Sequence, residues 1–200
     1  MSDTAPPDFE ITFQAMCDGD LATLETLVGQ GGFPHGVDGW LGRRWLTNAI
    51  DAASVETVEW VLSKGVEVNY VDDEGFSALK SALQVEVDCA YRHPEMTEPS
   101  EKAALTIAMI DALCAAGADV NHKMTLDDTV LHVAAAWSSV EVVRHLLKLG
   151  ADPCAYDAEY TPETPDYYAR FHKRWDVQAV LEAARLARQT QSPAADTSGG

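Results

Sequence analysis

The sequence predicts an all-α solenoid of about five helix-turn-helix units joined by short finger turns. Three observations lead there. First, KGVEVN (Lys64–Asn69), AGADVN (Ala116–Asn121) and LGADP (Leu149–Pro153) end three helical patterns alike. Gly117 and Gly150 stand 33 residues apart, and Gly65 and Gly117 stand 52 apart, which is 33 plus 19. Second, the leucines of RWLTNA, SALKSA and TVLHVA keep the same step: Leu46 to Leu79 is 33, and Leu79 to Leu131 is 52. Third, each unit pairs a helix rich in small residues with one whose apolar residues recur at 3–4 spacing. A fixed period of this size marks stacked supersecondary units that bury a core only against their neighbours.

Taken in order, residues 1–8 are acidic and proline-containing and are expected to be disordered. One domain then runs from 9 to 187, with units at about 9–37, 38–71, 72–122, 123–155 and 156–187. The first unit keeps only a helix pair closed by GQGG and reads as a cap. In the second and fourth, Ala49, Ala52 and Ala53, then Ala134, Ala135 and Ala136, let an inner helix pack closely. Val58, Val61 and Leu62, then Val142, Val143, Leu146 and Leu147, give the outer helices an apolar face. Glycine follows each outer helix, where a left-handed C-cap is needed. The fifth unit, with TPDYYA about two residues late, ends in the charged helix DVQAVLEAARLARQ, a second cap. Residues 188–200 read as a disordered tail.

The third unit carries the extra 19 residues, placed at 84–102 between its helices. Its inner helix should run about two turns long, stop at Pro94, and be followed by a helix that Ser100 caps. Such a segment is equally a partner-specific arm or a tolerated surface insertion.

TVLHVAA (Thr129–Ala135) followed by GADP closely matches the TPLHxA signature and 33-residue period of the ankyrin repeat, and the chain resembles that family over roughly Asp8 to Ala187. The other units match at the apolar positions and the glycines. An enlarged turn of this sort is similar to that of many bacterial ankyrin proteins. The resemblance implies a structural role for His132, bonded to backbone in adjoining turns. It also implies a binding surface made of the finger tips and the exposed edge of the inner helices.

Mapped on this sequence, that surface holds Trp40, Arg43, Tyr70, Asp73, Glu74, Phe76, Asp128, Trp137, Tyr156, Glu159 and Tyr160. Aromatic residues offer large rigid contact area, and acids steer a basic partner. The plainer reading is that each Asp serves its own turn and each aromatic packs on a neighbouring finger.

Lys plus Arg total 14 and Asp plus Glu total 32, a net charge of −18. That disfavours nucleic acid and anionic membranes, which need cations to replace counterions. It favours a basic protein partner, although acidic surfaces also serve solubility alone. No apolar run nears the ~18 residues of a membrane span, and the N-terminus lacks signal-peptide regions, so a cytoplasmic monomer is expected. Cys17, Cys89, Cys114 and Cys154 form no CxxC pair; Cys17 and Cys114 read as small buried thiols, and Cys89 with His93 lacks a second metal-ligand pair.

No catalytic motif stands out. Ser138, Ser139 and His145 follow no GxSxG, no phosphate-binding glycine loop is present, and Glu86 and Asp88 point apart on a helix. The expectation is a protein-binding adaptor or inhibitor without cofactor or metal. One version is an immunity protein or antitoxin that neutralises a basic effector. The alternatives are a ligand-binding or enzymatic pocket at the third-unit insertion, near Glu86, Asp88 and His93, and a structural module that self-associates.

Overall fold

The computed structural model describes residues 5–72, 75–92, 96–157 and 163–191, with 88–92 and 191 by backbone only. Every regular element among them is helical: α1 (Phe9–Asp18), α2 (Leu21–Leu27), α3 (Trp45–Asp51), α4 (Val55–Ser63), α5 (Ala78–Arg92), α6 (Pro99–Ala115), α7 (Val130–Trp137), α8 (Val140–Lys148), α9 (Pro165–Phe171) and α10 (Trp175–Gln191). A single 3-10 turn, Gln30–Gly32, follows α2.

Local chemistry sets these boundaries. Asp8 caps α1 through the Ile11 N–H (3.0 Å), and Asp20 caps α2 through that of Thr23 (3.1 Å). Ser54 and Ser139 do the same for α4 and α8. Gly65, Gly117 and Gly150 end the outer helices with φ of 75°, 95° and 94°. A side chain is strained there, which is why glycine marks the period.

The odd-numbered helices form an inner row in which each touches the next, from α1 to α9. Among the even-numbered helices α4, α6, α8 and α10 pack in series, and α2 reaches α4 through Glu25, bonded to Lys64 (2.6 Å) and the Trp60 indole (3.2 Å). Ala49, Ala82, Ala134, Ala135 and Ala169 are buried in the inner row, where a larger side chain would hold the helices apart. Val58, Val61, Met109, Ile110, Leu113, Val142, Val143, Leu146 and Leu181 fill the space between the rows. Burying that surface is the main stabilising term, since each side chain removed from water contributes about 1.5–3 kcal/mol.

Two asparagines tie units together. Asn69 donates to the Gly117 carbonyl (2.9 Å) and accepts from the Asp119 N–H (2.9 Å). Asn121 repeats the contact one unit on, with the Gly150 carbonyl (3.1 Å) and the Asp152 N–H (2.8 Å). Each finger is closed by a backbone bond: Asp38 to Arg43, Asp72 to Phe76, Met124 to Asp128 and Asp157 to Glu163.

Four expectations are corrected. Residues 5–8 are packed: Pro7 is buried, Pro6 lies against Gly31 and Gly39, and Asp8 caps α1. At the other end α10 continues past 187 to Gln191, held by an Arg188–Asp152 ion pair (2.9 Å). Helix α6 starts at Pro99, not after Ser100, because proline needs no N–H partner in a first turn. Cys17 is exposed, since Thr12, Ala15 and Met16 take the core face of α1. The extra residues lengthen both helices of their pair. Helix α5 has 15 residues against 8 in α7, and α6 has 17 against 9 in α8.

Candidate functional site

The described members of the expected site fall into three groups. Trp40, Trp137 and Tyr156 are exposed, by 69%, 63% and 56%. Trp40 rests on Phe9 (5.0 Å between ring centres), and Trp137 on His172 (4.4 Å). These contacts hold the rings in place while leaving most of each ring to solvent.

Arg43, Phe76 and Asp128 are half-buried. The Arg43 guanidinium pairs with Asp51 at the end of α3 (2.5 Å). Phe76 lies under the Lys80 ammonium (4.5 Å to the ring centre). Burial pushes the Asp128 carboxyl above the usual carboxylate range, against the pull of Lys80 and His132.

Tyr70 is not on the surface. It is 4% exposed; its hydroxyl is hydrogen-bonded to Thr47, and burial pushes that hydroxyl up to about 12. The Arg44 guanidinium lies over its ring (4.9 Å). The aromatic after Asn69 faces α3 because the chain turns inward there to reach the next finger. Asp73, Glu74, Glu159 and Tyr160 lie outside the described residues.

The turn acids include one that the sequence did not single out. Asp38 is buried, and its carboxylate accepts from the N–H groups of Trp40 (2.9 Å), Leu41, Gly42 (3.2 Å) and Arg43 (3.2 Å) and from the Asn48 amide (2.9 Å). Burial alone would raise its pKa; the Asn48 amide and the backbone donors outweigh that and hold it below the usual range. Asp157 does related work, accepting from the Glu163 N–H (3.0 Å) and the Tyr168 hydroxyl (2.7 Å). The signal was an aspartate at the start of three fingers.

His132 is fully buried at the start of α7. The Thr129 N–H donates to its Nδ1 (3.0 Å), which leaves the proton on Nε2 to donate to the Glu163 carbonyl (3.2 Å). Burial lowers its pKa, and both nitrogens are used in joining two fingers. Glu86 is also occupied: both carboxylate oxygens accept from the Ser139 N–H (3.2 and 3.1 Å), which fastens α5 to the start of α8. Among the described residues no three His, Cys, Asp or Glu side chains gather where a metal ion could sit, and no helix is long and apolar enough to cross a membrane.

Between α5 and α7 the exposed edge hollows into a groove of about 330 Å³, lined by Lys80, Leu83, Gln84, Val87, Val133 and Trp137. Of the expected site residues that are described, Trp137 alone lines it. Its α5 wall went unforeseen, because it depends on where the longer helix lies against its neighbour.

A model of the ankyrin repeat matches residues 126–158, a range that includes α7 and α8. The match supports an ankyrin-repeat protein, and ankyrin repeats mediate protein–protein interaction. No curated protein matches the chain as a relative.

Proposed function

We propose that the whole chain is a five-unit ankyrin array, with an enlarged third unit, that binds a basic protein partner through its finger and inner-helix face. On this reading it acts as an adaptor or inhibitor and performs no chemistry of its own. The observation that carries it is the set of exposed rings, Trp40 fixed on Phe9, Trp137 fixed on His172, and Tyr156 after them in sequence order, with Trp137 lining an apolar groove and with Asp72, Asp127 and Asp128 in the fingers. Rigid aromatic rings supply contact energy at small conformational cost, and surrounding acids raise the rate of encounter with a basic partner. A net charge of −18 supports an inhibitor of a cationic effector over a nucleic-acid binder.

The test is retention of proteins from source-cell extract on the immobilised chain, with Trp137→Ala, Tyr156→Ala and, on the outer row, Arg144→Ala. A partner retained at low salt, released at high salt, lost with the first two variants and kept by the third is the expected result. Retention that survives both aromatic substitutions, or that follows the outer row, overturns the reading.

A further inference from the structure

The groove exists because α5 is long. With Leu79 equivalent to Leu131, 52 residues on, the end of α7 at Trp137 corresponds to Val85. Helix α5 continues to Arg92, so Val87 stands beyond the point where its neighbour stops and forms a wall facing Trp137. Val87 is 60% exposed, and Leu83 is buried beneath it.

The two ends of the groove differ in chemistry. Among the described residues, Lys80 is the one charged residue that lines it. It stands at the finger end, where its ammonium donates to the Gly75 carbonyl (3.1 Å). Carboxylates gather around that end. Asp72 accepts from the Phe76 N–H (2.7 Å), Asp128 lies within the field of Lys80, and Asp127 is exposed beside Lys123 (3.6 Å). Among the described residues, three carboxylates against two ammoniums leave this end acidic. Among the described residues the far end is apolar, lined by Val87 and Trp137, with His172 against Trp137 and Phe171 against His172 (5.3 Å between those rings).

Resting on the binding-module reading, we propose that this groove receives an amphipathic segment of the partner. An aliphatic or aromatic side chain seats between Val87 and Trp137, and a lysine or arginine reaches the Asp72–Asp128 end. From Lys80 to Val87 is seven helical residues, roughly 10 Å at 1.5 Å per residue. A helix presenting its anchor at position i and its cation two turns away, at i+7, fits that length and is a common form of groove recognition. The extra turns of α5 thereby set specificity, since a shorter inner helix would leave no wall opposite Trp137.

The probes are two acetylated amphipathic model helices, one of leucine and lysine and one with every lysine replaced by glutamate, titrated calorimetrically into the full chain. The leucine–lysine helix binds the wild type and binds Val87→Ser and Trp137→Ser about tenfold more weakly, the loss expected for one apolar contact. The leucine–glutamate helix does not bind. Both substitutions are at exposed positions, and unchanged melting temperatures confirm intact folds. Equal binding to Val87→Ser, which would mean adhesion by charge alone, overturns the proposal. So does binding of the glutamate helix, or no binding of either. If a natural partner recovered by retention binds Val87→Ser undiminished, the groove assignment fails and the binding-module reading stands. If retention is indifferent to every inner-face variant, both fail.

Discussion

Replacing Asn121 with alanine removes both arms of an inter-unit clamp, the bonds to the Gly150 carbonyl and the Asp152 N–H. Neither backbone group has the other's partner to fall back on. A net hydrogen bond is worth about 1 kcal/mol, and water can reach this exposed site, so the pair should cost about 1–2 kcal/mol. For a chain of this size each kcal/mol lowers the melting temperature by roughly 2–4 °C, giving a fall of about 2–8 °C. In a linear array the loss falls on one interface. Hydrogen exchange should therefore rise across α8 to α10 and not across α1 to α4. Asn121→Asp keeps the acceptor for Asp152 but loses the donor and adds charge beside two acids, so it should be no more stable than the alanine variant. Asn69→Ala should add its own loss, because the two clamps lie one unit apart and share no bond. A loss below about 0.3 kcal/mol, or exchange raised evenly along the chain, would refute the clamp as an interface element.

Asp38→Ala strands four backbone N–H groups and should cost about 3 kcal/mol or more by urea unfolding. Because the folded pKa of Asp38 is depressed, its contribution is present above the unfolded value of about 3.9 and fades as pH falls through the folded one. The wild type should lose stability in that range more steeply than Asp38→Asn. His132 also has a depressed folded pKa. Its neutral form is the folded one, so stability should fall as pH drops below about 6.5, and His132→Gln should flatten that dependence in urea midpoints measured from pH 7.5 to 5.5. Glu86→Ala should release the end of α5 from α8 and cost about 1–2 kcal/mol, with exchange rising locally in both helices. Ultraviolet titration should show one tyrosine ionising near 12, absent in Tyr70→Phe.

The repeat was legible because its punctuation is local. A glycine with positive φ ends each of three outer helices, and small residues must line the inner row, so both survive where the rest of the signature has changed. The added length of α5 followed from the same arithmetic, whereas the start of α6 at Pro99 did not. What escaped were contacts between residues far apart in sequence. Glu86 meets Ser139 at a separation of 53, and Asn69 meets Gly117 at 48. The V-N after the Gly65 and Gly117 turns did carry the clamp's signature, but its partner is the next unit's turn, which no single unit displays. Tyr70 was misplaced for a related reason. An aromatic at the foot of a finger can point outward or into α3, and only Thr47, 23 residues upstream, decides. Of the expected face, Trp40, Trp137 and Tyr156 are exposed. The groove's second wall depends on how far α5 overhangs α7, a property of two helices side by side.

The added length falls in α5 and α6, on both sides of the tip between them. Asn69 and Asn121 nonetheless make the same pair of bonds to the next glycine turn, although 52 residues separate Gly65 from Gly117 and 33 separate Gly117 from Gly150. The load-carrying spine and the variable promontory are separate parts of one unit. Turns could be added or removed at that tip, and its outward side chains rewritten, while the stacking that keeps the chain folded is left alone. Selection for a new partner and selection for stability can then act on different residues of the same protein.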